Sequence, residues 1–115
     1  MSRLKQFREY REKMNQKILE AGNLEINRFF ALDTRCYEAG ALPVKTKELM
    51  GLTASMVLRC DDCIAYHVIR AVEEGCTDAE IREAMSVSLV VGGSIVIPHL
   101  RRAFELLEEV RGAGN

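Results

Sequence analysis

Leu4, Phe7, Tyr10, Met14, Ile18 and Leu19 recur at intervals of three and four, which is the repeat of one apolar stripe on an α-helix. The positions between them are largely charged or polar, so the pattern predicts an amphipathic helix over residues 3–21. Gly22-Asn23 supplies its stop. A second helix is expected over 24–38, ending at Gly40, on Ile26, Phe29, Phe30, Leu32 and Tyr37. Ala41-Leu42-Pro43 reads as a turn, because proline fixes its own φ and biases the preceding residue away from helix. A third helix follows over 45–58 through Leu49, Met50, Leu52, Met56 and Val57.

The fourth helix begins within 59–62 and runs to Glu74, with Gly75 as its breaker. Thr77-Asp78-Ala79-Glu80 has the form of a capping box, and opens a fifth helix. That helix is apolar nearly all round (Ile81, Ala84, Met85, Val87, Leu89, Val90, Val91) and is expected to be buried on most sides. After Gly92-Gly93, Ser94 can cap a sixth helix that tolerates Pro98 in its first turn and runs to about Arg111. The β-branched stretch 94–97 could instead form a short strand, although no partner strand is evident. The expected architecture is an all-α bundle of about six helices in one domain spanning 1–115. The stretch 86–97 carries more apolar surface than one small chain can cover, which predicts an oligomer.

Composition narrows the function. The chain has 115 residues and a net charge of -1, from 16 basic and 17 acidic residues. Nucleic acid and anionic membrane surfaces both call for a basic excess, so neither is expected as a partner. No apolar run reaches the ~18 residues of a membrane span. The N-terminus lacks the apolar segment of a signal peptide, which points to the cytosol. Four cysteines in such a compartment read as free thiols, metal ligands or a redox pair rather than as a structural disulfide framework.

The chemistry concentrates in Arg59-Cys60-Asp61-Asp62-Cys63-Ile64-Ala65-Tyr66-His67. Two cysteines three apart share a helix face and can close a small disulfide. At a helix N-terminus the macrodipole and free amides favour the thiolate, the nucleophilic form. His67, four residues after Cys63, falls on the same face one turn later and can move a proton near neutral pH. Asp61 and Asp62 suit a helix start but oppose thiolate formation. Glu48 lies twelve residues before Cys60 on the preceding helix. If it turns inward it needs a partner, for which His67 is the natural candidate. Zinc would ask for further ligands from Cys36, Cys76 or His99, with no second C-x2-C to supply them. Cys36 and Cys76 read as ordinary thiols, and His99 as a residue near the start of the last helix, outside the core set, with the same cleft or an intersubunit cleft as its alternatives. Arg101, Arg102, Glu105, Glu108 and Glu109 read as a solvated face with i,i+4 pairing.

The combined pattern, Glu48-x11-Cys60-x2-Cys63-x3-His67, resembles the alkylhydroperoxidase D and carboxymuconolactone decarboxylase superfamily. The likeness runs from Lys47-Glu48-Leu49-Met50-Gly51-Leu52 through the cysteine motif and Gly75-Cys76-Thr77-Asp78 to Gly92-Gly93, covering roughly 41–110. It implies an all-helical fold, trimers or hexamers, and reduction of hydroperoxides or thiol–disulfide exchange without a bound cofactor or metal. The implied catalytic set is Glu48, Cys60, Cys63 and His67. Cys63 is the thiol served by His67 and Glu48, and Cys60 is its disulfide partner. Implied partners are a small hydroperoxide and a thiol reductant or thioredoxin- or lipoyl-type protein. Alkylhydroperoxidase D has a histidine before its second cysteine, where this chain has Asp62. The decarboxylases generally lack the cysteine pair. The alternatives are a lyase acting on a small lactone acid and a non-catalytic oligomeric redox sensor.

Overall fold

The computed structural model describes residues 2–113, and the helical periodicity is realised in six α-helices. They are α1 (Arg3–Glu20), α2 (Leu24–Cys36), α3 (Val44–Val57), α4 (Asp61–Glu73), α5 (Asp78–Gly92) and α6 (Ile97–Ala113). A 3-10 turn, Ser94–Val96, leads into α6. The strand alternative for this stretch is therefore corrected, since no strand is present among the described residues. Ser94 makes no side-chain cap; Gly93, at φ 85°, redirects the chain instead.

The cap signals in the sequence set several boundaries. Ser2 accepts from the Lys5 amide and Asn23 from the Ile26 amide. Thr77 and Glu80 close the capping box in both directions. The core lies between α3, α4, α5 and α6, where Leu52, Met56, Val68, Ile81, Met85, Val96 and Leu106 are essentially solvent-free. Each such side chain contributes roughly 1.5–3 kcal/mol of transfer free energy. α3 packs against both α4 and α5, and α4 also packs against α6. Leu4 ties the start of α1 into this core, whereas α2 buries no residue fully.

The apolar positions of α2 do not reach the core, and Phe29 and Leu32 face outward. One sequence expectation about burial is corrected. α5 is not covered on most sides in the single chain. Only Ile81, Met85 and Ser88 are buried on it, while Val87, Val90 and Val91 are exposed. A helix pattern reports how much surface is apolar, not which molecule covers it.

One corner sets up the cysteine motif. α3 ends in a Schellman motif: the Arg59 amide donates to the Met56 carbonyl at 3.0 Å, and the Cys60 amide to the Ser55 carbonyl at 3.1 Å. Arg59 occupies the left-handed position, φ 58°, where glycine is usual. α4 ends the same way on Gly75, with Cys76 in the place that Cys60 holds after α3.

Candidate active site

Cys60 does not lie inside α4, as two cysteines on one helical face would require. It is the N-cap, in extended conformation, and Cys63 sits in the first turn. This follows from the corner before it: once Arg59 takes the left-handed turn, the next residue must leave the helix. Cys60 and Cys63 are joined as a disulfide, with Cα atoms 5.3 Å apart. Placed at the helix start, both sulfurs meet the positive end of the dipole and the unpaired first-turn amides. The Cys60 sulfur indeed accepts from the Cys63 amide at 3.3 Å. Cys63 is exposed and Cys60 partly covered.

Behind the disulfide, α3 and α4 bury a carboxylate–imidazole pair. His67 Nδ1 and Glu48 Oε1 are 2.9 Å apart, and Glu48 is 1% exposed. An almost dry carboxylate requires cationic or donor partners. The second oxygen of Glu48 has one in Arg70, whose Nε lies 3.6 Å away. Arg70 also reaches Glu73 at 2.7 Å and Glu74 at 2.9 Å. The inward glutamate paired with His67 is thus in place.

Three residues beside this pair were not singled out from the sequence. Tyr37, just past the end of α2, brings its hydroxyl to 3.4 Å from His67 Nε2. Burial, and then the nearby Glu48 carboxylate, push the Tyr37 phenol above its ordinary value, so it keeps its proton beside the imidazole. Gly51 lets the imidazole approach α3: a Cβ there would stand 2.6 Å from His67 Cε1 and 2.7 Å from the Tyr37 oxygen. Arg70 is the third. A glycine inside a predicted helix was a readable signal; nothing local marks Tyr37, because its partner is thirty positions away.

A cavity of about 510 Å³ opens in front of Cys63 and His67. α1 supplies its apolar wall through Phe7, Tyr10, Met14 and Ile18, and Arg11 and Asp62 are among its polar lining. Arg11 lies over the Tyr66 ring at 4.3 Å, and Tyr66 meets His67 edge-on. Tyr66 therefore borders the site. Cys36 is an exposed thiol, and Cys76 a buried one whose ionisation is pushed up by desolvation. Among the described residues, no group of three or more His, Cys, Asp or Glu side chains is arranged to hold a metal ion. Among the same described residues, no helix is long and apolar enough to cross a membrane.

His99 does not line this cavity. It lies on α6, with Nδ1 2.7 Å from Asp61 Oδ1, while Arg102 Nη1 is 3.3 Å from Asp61 Oδ2. The charges of α6 are also not paired along its own face, as expected from sequence. Glu105 binds Arg3 at 2.9 Å and Glu109 accepts the Leu4 amide at 3.0 Å, so they fasten α1 instead.

Fold and site together define an all-helical protein with a C-x2-C disulfide at a helix start and a buried Glu–His pair behind it. The carboxymuconolactone decarboxylase family matches residues 26–108, and the chain belongs to that family. An uncharacterized protein of the cox locus of Paracoccus denitrificans is 34% identical over 85 residues, covering 74% of this chain and 77% of its own. A Thermotoga maritima crystal structure is 60% identical, with a TM-score of 0.93 and 96% of each chain covered. A second Thermotoga maritima structure, at 60% identity and TM-score 0.89, covers 93% of this chain and 91% of its own. It is described as a carboxymuconolactone decarboxylase family protein with a suggested link to an antioxidative response. A family protein from Legionella pneumophila shares the fold at 23% identity, with TM-score 0.88 over 96% of this chain and 98% of its own.

Proposed function

We propose that the protein is a dithiol oxidoreductase that reduces hydroperoxides, with Cys63 as the attacking thiol. The observation that carries this reading is the buried Glu48–His67 pair standing one helical turn behind a disulfide-forming Cys63. A carboxylate that orients an imidazole beside a thiol is the arrangement of an activated nucleophile. The suggested antioxidative role of the Thermotoga relative agrees with it.

The chemistry balances within these residues. Cys63 thiolate attacks the outer oxygen of ROOH, the O–O bond breaks, and RO⁻ takes a proton from His67 to leave as ROH. Cys63 is then a sulfenic acid. Cys60 thiolate attacks its sulfur, the S–O bond breaks, and hydroxide takes a proton to leave as water. The result is the Cys60–Cys63 disulfide. An external dithiol, free or carried by a thioredoxin- or lipoyl-type protein, reduces it and is itself oxidised. Exchange with a partner's disulfide would use the same two sulfurs without the peroxide. Glu48 orients His67 and offsets its charge when it is protonated.

The exposed face of α5 fits a second copy of the chain. Val90 is 84% and Leu58 75% exposed. An apolar depression of about 670 Å³ beside them is lined by Leu49, Met50, Val57, Leu58 and Val91. We propose that this face forms the contact of a homo-oligomer.

The deciding experiment is titration of free thiols in reduced protein before and after one equivalent of hydroperoxide, with peptide mapping of any new bond. Rapid loss of two thiols as Cys60–Cys63 is expected. Glu48→Gln and His67→Gln should slow it by roughly 10²–10⁴. Survival of all four thiols would reject the peroxidase reading. Lactone turnover intact in a double Cys→Ser protein would favour a lyase, and a disulfide that no reductant resets would favour a sensor.

A further inference from the structure

A second carboxylate–imidazole pair joins the cysteine motif to α6. Asp61 follows Cys60 directly and is the first residue of α4. Its Oδ1 holds His99 Nδ1 at 2.7 Å and its Oδ2 lies 3.3 Å from Arg102 Nη1. Glu48 holds His67 through the same ring nitrogen, Nδ1. In both pairs the carboxylate fixes Nδ1 and so orients the ring, with Nε2 of His67 turned to the Tyr37 hydroxyl. These are the chain's only two histidines. His99 is mostly covered, with its side chain 17% exposed.

The two cysteines face different electrostatic problems. Cys63 has His67. Cys60 carries two aspartates immediately after it, Asp61 and Asp62, each of which opposes its ionisation. The other charged groups linked to this corner are Arg59 before Cys60, His99 and Arg102 on α6, and Arg3 of α1. Arg3 donates to the Arg102 carbonyl and pairs with Glu105. Of these groups, His99 and Arg102 are fixed on Asp61 itself. Arg102 offsets one of the two aspartate charges, and His99, whenever it carries a proton, offsets the other.

We infer that His99 is a positioning residue for Cys60: held by Asp61 and backed by Arg102, it offsets the acidic start of α4 and lets the second thiol ionise near neutral pH. This rests on the reading of Cys60 and Cys63 as a working thiol pair, in which Cys60 must become a thiolate to close the disulfide. His99 thereby supplies from α6 the counter-charge for which the sequence between the cysteines, Asp61-Asp62, makes no provision.

The test needs no peroxide and so separates this inference from the peroxidase reading. Reduced full-length protein is alkylated with iodoacetamide from pH 5 to 10, and modification of Cys60 and Cys63 is quantified separately by peptide mapping. In His99→Gln the Cys60 midpoint should rise by roughly half a pH unit or more, while Cys63 stays within error. His99→Lys, which restores a cation, should return the Cys60 midpoint toward wild type. If His99 only clamps α4 to α6, His99→Gln lowers the melting temperature and leaves the midpoint in place, which overturns the inference. A second measurement uses wild-type protein alone and holds even where variants fail to fold. Because linkage is reciprocal, the NMR titration midpoint of the His99 ring should be lower in the disulfide form than in the dithiol form. Equal midpoints overturn the inference.

Discussion

Adding one methyl group at Gly51 would force His67 off its carboxylate. The new Cβ would lie 2.6 Å from His67 Cε1, and the ring cannot retreat without loosening its bond to Glu48. Overpacking costs about 1–3 kcal/mol, which outweighs the helix-propensity gain of about 1 kcal/mol for replacing glycine. Gly51→Ala is therefore expected to slow disulfide formation at least about tenfold in stopped-flow thiol assays, with only a modest drop in urea stability. Rates equal to wild type would mean that the imidazole position is not rate-determining. Arg59 gives the opposite case. Its left-handed backbone costs about 1 kcal/mol that glycine does not incur, so Arg59→Gly should raise the urea midpoint with an unchanged m-value. At this scale the sequence was legible where chemistry is local. The Glu48–His67 contact and the Cys60–Cys63 pairing were both readable, because the partners of each lie on, or at the start of, one neighbouring helix pair. Tyr37 and the His99–Asp61 pair were not legible, because each depends on which distant helix end arrives beside which side chain.

Helix boundaries were readable because they are written in short-range signals. The capping box at Thr77 and the stop at Gly75 each satisfy orphan backbone groups within a few residues. The departure at Cys60 has the same explanation in reverse: a Schellman end built on arginine gives no glycine to read. Thr77→Ala should cost about 1 kcal/mol and lower the melting temperature. The capping box also carries a pH dependence. The Thr77 backbone amide, with help from Lys45 at 2.9 Å, holds the Glu80 carboxyl below its ordinary value. Its contribution is thus full above the ordinary carboxylate range and fades as pH falls through the lowered folded-state value. Glu80→Gln should consequently lose more stability at pH 7 than at pH 3, as denaturant titrations at the two values would reveal. An equal loss at both would remove the charge from the account.

At the level of the whole molecule, sequence reading recovered the six-helix bundle but not how its surface is shared. The apolar content of α5 was legible; that Val87, Val90 and Val91 face outward was not, because a period of 3.6 cannot name a covering partner. Val90→Asp is expected to lower the mass measured by light scattering while the helical circular dichroism remains. A wild-type protein that already runs as a monomer would remove the proposed contact. The corner between α3 and α4 bears on how relatives of this chain should be recognised. From Glu48 the chain runs along α3 to Val57, passes Leu58 and Arg59, and caps α4 with Cys60. No slack exists along that path. Each residue inserted in α3 turns everything before it by about 100°, which would aim Glu48 away from His67. The interval between the glutamate and the first cysteine is therefore a ruler rather than a linker: substitutions within it can drift, but a single insertion or deletion should mark a descendant that has abandoned this chemistry.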